Sequence, residues 1–99
     1  MEIQQIEQWI TDNLNRIPTK TLNPSEVEHV AMCLDHLTRH FVEDYPVGGF
    51  LSAVVANDFC EGIFRADDIN LKALPLYPLF IWNCLPDGYA RKIIRGREL

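Results

Sequence analysis

The sequence predicts an all-α fold, a compact bundle of four to five helices around a central buried helix at about residues 49–65. Three observations carry that prediction. Apolar residues recur at three- and four-residue steps through the first half of the chain. Asn23, Pro24 and Glu26 form a helix start signal, with a capping side chain, a proline at the first helical position and a glutamate three residues after the cap. The run from Gly49 to Arg65 is apolar on almost every side and is too long for a strand.

Taken in order, the first element is an amphipathic helix from about Glu2 to Asn15, with Ile3, Ile6, Trp9, Ile10 and Leu14 on its apolar stripe. Pro18 ends it by forcing Ile17 out of the helical region. The second runs from Pro24 towards Tyr45 on Val27, Val30, Ala31, Leu34, Leu37 and Phe41, and stops at Pro46-Val47-Gly48-Gly49. The third is the central helix, with Phe50, Leu51, Ala53, Val54, Val55, Ala56, Phe59, Cys60, Ile63 and Phe64. Asp67 or Asp68 then caps a short helix through Leu74. Pro75 opens a last helix reaching about Cys84, where Pro78 still falls in the first turn. Pro86-Asp87-Gly88 closes it, and a short basic tail follows at about 89–99.

Ninety-nine residues form one domain, 1–99. A chain this size buries roughly 60–70% of its unfolded surface, enough to stand without disulfides or a structural metal. The three cysteines are dispersed, with no C-x-x-C pair, and each lies in an apolar run. That usage, the absence of a basic flank and apolar core at the N-terminus, and the lack of an apolar stretch long enough to span a bilayer predict a cytoplasmic protein. Net charge is −5, but residues 1–90 hold thirteen acids and five bases while residues 91–99 hold four bases and one acid. An acidic body repels phosphate backbones, which makes the domain as a whole a poor general nucleic-acid binder. Arg91, Lys92, Arg95 and Arg97 are the exception, either a nucleic-acid contact or a solvated terminus.

Gly48-Gly49-Phe50-Leu51-Ser52-Ala53-Val54, Asn57-Asp58, Arg65-Ala66-Asp67-Asp68, Asn70 and Ala73-Leu74-Pro75 together resemble a group of small uncharacterised helical proteins encoded by phages and prophages. The resemblance spans roughly residues 46–86. That group often has an acidic residue and a tryptophan near the last proline, whereas here the stretch reads Asn83-Cys84-Leu85-Pro86-Asp87-Gly88-Tyr89. The resemblance implies a mobile-element origin and an accessory role, and brings no activity or binding residue with it.

Three constellations could carry function. His29, Cys33, His36 and His40 fall within an arc of about 60° on the second helix. Imidazole and thiolate ligate zinc and copper, but one straight helix offers a metal two adjacent ligands, so the sequence assigns neither metal nor cofactor here. On the third helix, Asn57, Asp58, Glu61 and Arg65 continue an apolar face in polar form. They are either a capping and ion-pair set or the polar end of a partner-binding groove. Asp58 and Glu61 could serve acid–base work, yet no serine–histidine signature, G-x-G-x-x-G, P-loop or H-E-x-x-H accompanies them, and a non-enzyme is expected. The last helix shows Leu76, Tyr77, Leu79, Phe80, Ile81 and Trp82 on nearly all sides, either under the first helix or as an exposed protein-binding patch. Tyr77 and Trp82 join the partner-binding candidates. The expected function is a non-enzymatic interaction module that binds a host or phage macromolecule and forms a homodimer. The alternatives are a nucleic-acid-associated regulator using the basic tail and a small metal-binding or hydrolytic protein.

Overall fold

The computed structural model describes residues 1–85, and these fold into six α-helices and one 3₁₀ turn. The basic tail, including Arg91, Lys92, Arg95 and Arg97, lies outside the described residues. Helix α1 spans Ile3–Asp12 and buries Ile6 and Ile10. The Glu2 N–H donates to Gln5 Oε1 at its start (2.7 Å). A 3₁₀ turn over Leu14–Arg16 follows, and Ile17 closes that corner into the core.

Helix α2, Pro24–Glu43, begins as its sequence predicts. Asn23 Oδ1 accepts from the Glu26 N–H at 2.9 Å, and Glu26 Oε1 accepts from the Asn23 N–H at 2.9 Å. Two of the orphan donors of the first turn are thus satisfied reciprocally. Val30, Ala31, Cys33, Leu34 and Leu37 form its buried stripe, and the helix ends on Asp44 in the left-handed region (φ 56°).

The expected single helix over 49–65 is two helices, α3 (Gly49–Val55) and α4 (Phe59–Arg65). The break has a local cause. Asn57 takes the left-handed conformation (φ 55°), which asparagine tolerates better than most residues, and Asp58 caps the new helix by accepting from the Glu61 N–H at 3.1 Å. The chain therefore turns a corner at Asn57, and Arg65 at the end of α4 runs back across Gly49 at the start of α3. A Cβ at position 49 would lie 2.9 Å from Arg65 Nη1. This corner also corrects the core assignment. Phe50, Leu51 and Ala53 of α3 are buried, but Phe59 and Phe64 of α4 are 72% and 80% exposed, and Cys60 is exposed too. The centre of the bundle is α2 with the last helix, not the 49–65 segment.

Helix α5, Asp68–Lys72, is capped by Asp67, whose Oδ1 accepts from the Asn70 N–H at 2.7 Å. Helix α6, Leu76–Cys84, follows Pro75 and holds Pro78 in its first turn, where a missing N–H removes no helical bond. Leu76, Tyr77, Phe80 and Ile81 pack inward. Trp9 of α1 meets Phe80 edge to face at 5.2 Å, and Phe50 of α3 meets Tyr77 in the same way at 5.0 Å. Four side chains of the last helix are core, as the buried reading has it, while Trp82 is 63% exposed. No helix among the described residues is long and apolar enough to cross a membrane.

Candidate functional site

The α3–α4 corner leaves α4 leaning away from the core, and the gap between that corner and α6 is an apolar groove of about 450 Å³. Ala53 and Val54 form one wall, Asn57, Asp58, Phe59 and Gly62 the corner, and Leu74, Pro75, Pro78, Ile81 and Trp82 the opposite wall. Tyr77 supplies the floor with its ring. Gly62, the one buried residue of α4, brings no side chain to this space, and Phe59 of the same helix borders it. Phe59 and Trp82 stand at its two lips, largely in solvent.

The six residues predicted to bind a partner divide between this groove and its surroundings. Asn57, Asp58, Tyr77 and Trp82 line it. Tyr77 is fully buried, however, so it is a structural floor and not an exposed contact. Glu61 and Arg65 lie outside the groove on the exposed face of α4, paired through Arg65 Nε and Glu61 Oε2 at 2.6 Å. Glu61 holds the Arg65 guanidinium above its ordinary pKa by hydrogen bond and charge. Asp58 is engaged as the α4 cap and Glu61 in its ion pair, so the two carboxylates do not converge on a common point for proton transfer. Phe59, expected in the core, is exposed and lines the groove. The Asp58-x-x-Glu61 spacing is a helix-start signal that begins a new helix at Phe59.

Beneath the groove floor lies a buried polar cluster. The Tyr77 hydroxyl donates to the carboxamide oxygen of Asn70, which is itself buried. Asn70 Nδ2 donates to Cys33 Sγ at 3.7 Å and to Asp67 Oδ2 at 3.5 Å. Asp67 Oδ2 also accepts from His29 Nε2 at 2.8 Å, tying α2 to the cap of α5. Burial, first of all, and the neighbouring Cys33 raise the Tyr77 pKa well above its ordinary value, so its hydroxyl stays a donor. Every buried side-chain nitrogen and oxygen among the described residues has a partner.

The histidine stripe disperses in three dimensions. Cys33 is buried, as a thiol in an apolar run is expected to be. His29 turns to Asp67, His36 stacks at 5.1 Å on Tyr45, and His40 Nδ1 donates to the Tyr45 carbonyl at 2.9 Å. Among the described residues no three histidine, cysteine or acidic side chains gather into a metal-sized group. Cys33, His29 and Asp67 adjoin one another without relay geometry. Sulfur (3.9 Å) and carboxylate (2.8 Å) meet the same ring nitrogen, Nε2, whereas a nucleophile–base–orienter chain uses both nitrogens.

No protein-family model, curated protein or solved structure matches the chain.

Proposed function

We propose that this chain is a non-enzymatic protein-interaction module that binds another polypeptide in the groove between the α3–α4 corner and α6. The observation that supports this reading is the pairing of a 450 Å³ apolar groove with two large aromatic rings held in water at its lips. The exposed parts of Trp82 and Phe59 amount to about 300 Å², and covering them releases roughly 7 kcal/mol gross. Association costs roughly 4–15 kcal/mol, so two rings alone give weak binding and the occupant must fill the groove as well. The aromatic enrichment, and the lack of a charge cluster at the groove, suit a protein partner better than a phosphate backbone. The free thiols of Cys33, Cys60 and Cys84 fit a reducing, cytoplasmic setting. The resemblance over residues 46–86 supports a mobile-element origin, with the partner a host or phage macromolecule or a second copy of the chain.

The test is capture by the full immobilised chain from bacterial lysate. A protein retained by the wild type and by Arg95→Glu, but lost with Trp82→Glu or Phe59→Asp, supports the groove. Steeply salt-dependent DNA binding that survives Trp82→Glu and disappears with Arg95→Glu would replace it with the nucleic-acid reading.

A further inference from the structure

Resting on that reading, we infer that the groove's occupant is Trp82 of a second copy of this chain, in a two-fold dimer that pairs Arg16 of each copy with Asp58 of the other. The inference begins with the surroundings of Trp82. Its indole, with Pro75 and Pro78, forms a ridge between two hollows, the groove itself and a shallower depression of about 420 Å³ on the other flank. A surface that presents a ridge beside a groove can mate with itself under a two-fold rotation, because each ridge enters the other copy's groove. Isologous pairing requires that kind of self-complementary patch.

Charge decides in favour of a second copy over an unrelated apolar segment. Asp58 stands at the groove flank of the ridge and has no basic partner among the described residues. Arg16 stands at the opposite flank, lines the shallower hollow, and has no acidic partner among the described residues. One acid and one base on opposite sides of the would-be symmetry axis are complementary to themselves. Rotation brings Arg16 of one copy to Asp58 of the other, twice. An amphipathic partner of a single charge would satisfy one flank and oppose the other. The body of the chain is acidic, so like-charge repulsion between copies acts at long range, but at physiological salt it is screened beyond about 8 Å while the facing pairs are not. A tryptophan anchor near the middle of the contact with charges at its rim is the usual arrangement of a binding hot spot.

Sedimentation equilibrium of the full chain from micromolar to hundreds of micromolar measures the state directly. The expected mass approaches twice the 11.4 kDa of one chain. Trp82→Glu should weaken self-association by about 100-fold or more, as the loss of a central aromatic anchor does. Arg16→Glu and Asp58→Arg should each weaken it by about tenfold or more, since each turns two attractive pairs into repulsive ones. An equimolar mixture of those two variants should recover the wild-type affinity, because the mixed dimer has Arg16 facing Asp58 on one side and Glu facing Arg on the other. Asp58→Arg also removes the α4 cap, so circular dichroism checks its helix content. Asp58→Asn, which keeps a capping side chain, gives a second variant that loses the charge alone and should weaken the dimer less than Asp58→Arg. Failure of the mixture to recover affinity, with both variants folded, overturns the pairing. A wild-type mass of one chain throughout overturns self-occupancy, and leaves the capture experiment to decide the broader reading on its own result.

Discussion

Replacing Asn70 by leucine and Tyr77 by phenylalanine, singly and together, probes how the groove floor is held. The Tyr77 hydroxyl has the Asn70 carboxamide as its acceptor in a fully buried position, and Asn70 in turn donates towards Cys33 and Asp67. Asn70→Leu leaves a buried hydroxyl without that acceptor, which costs about 1–3 kcal/mol, and removes two weak, long donor contacts besides. A loss of about 2–3 kcal/mol is expected. Tyr77→Phe deletes only the donor and should cost about 1–2 kcal/mol, because the orphaned oxygen remains beside other polar groups. In the double variant both partners are apolar and neither penalty for an unmatched group is incurred. Its destabilisation should therefore fall short of the sum of the singles by at least about 1 kcal/mol. For a domain of this size each kcal/mol lowers Tm by about 4–8 °C, so Asn70→Leu should melt roughly 10–20 °C below the wild type. Urea unfolding with an unchanged slope supplies the free energies. Additivity within about 0.3–0.5 kcal/mol would show that the two side chains do not depend on each other, and the reasoning would fail.

Asn57 holds the corner in the left-handed region. Asn57→Gly should leave stability within about 0.5 kcal/mol of the wild type, whereas Asn57→Val should cost about 1–2 kcal/mol in thermal unfolding, and equal effects would remove the backbone explanation. Glu26 accepts from Lys72 Nζ at 2.7 Å and from the Asn23 N–H, and these bonds, Lys72 first, hold its carboxyl below the ordinary value of 4.5. The stabilisation this gives is complete above that ordinary value and is lost as pH falls through the lower, folded one. Wild type should therefore exceed Glu26→Gln in stability at neutral pH, with the gap closing in acid, and a gap independent of pH would refute the pairing. Protein purified without a tag should carry no stoichiometric zinc by elemental assay, since His29, Cys33, His36 and His40 do not gather, among the described residues, into a group that could hold a metal. One zinc per chain that His36→Ala abolishes would reverse that assignment.

What the sequence made legible was local. Asn23, Pro24 and Glu26 announced α2, Asp67 or Asp68 announced α5 with Asp67 proving to be the cap, and Pro75 and Pro78 fell where the start of α6 tolerates them. Each is a short-range bond or steric rule within four residues. The break at Asn57 was equally local but was hidden by apolar residues on nearly every side of the run from 50 to 64, a pattern that a continuous buried helix and two helices round a corner share. The two differ in where Phe59 and Phe64 point, and only the Asp58 cap with Glu61 three residues on separates them. The Tyr77–Asn70 bond could not be read at all, since it depends on the angle between α5 and α6 across the turn at 73–75. Among the groove's lining residues, Asn57, Asp58 and Trp82 stand out in the sequence, because a polar stripe and a large aromatic are anomalies along an otherwise apolar helix. Phe59 and Arg16 look ordinary in their own segments, and only the fold brings them to the two hollows beside Trp82.

The indole N–H resonances provide the sharpest reading of the binding surface, because the described chain has two tryptophans in opposite circumstances. Trp9 packs on Phe80 within the bundle, and Trp82 stands at the groove lip. In ¹⁵N-labelled full chain, raising the protein concentration should shift the Trp82 indole peak together with the amides of residues 53–62, while the Trp9 peak stays in place. Shifts confined to the Tyr45–His36 face, or none at any concentration or with any captured partner, would contradict the assignment of the groove as the binding surface.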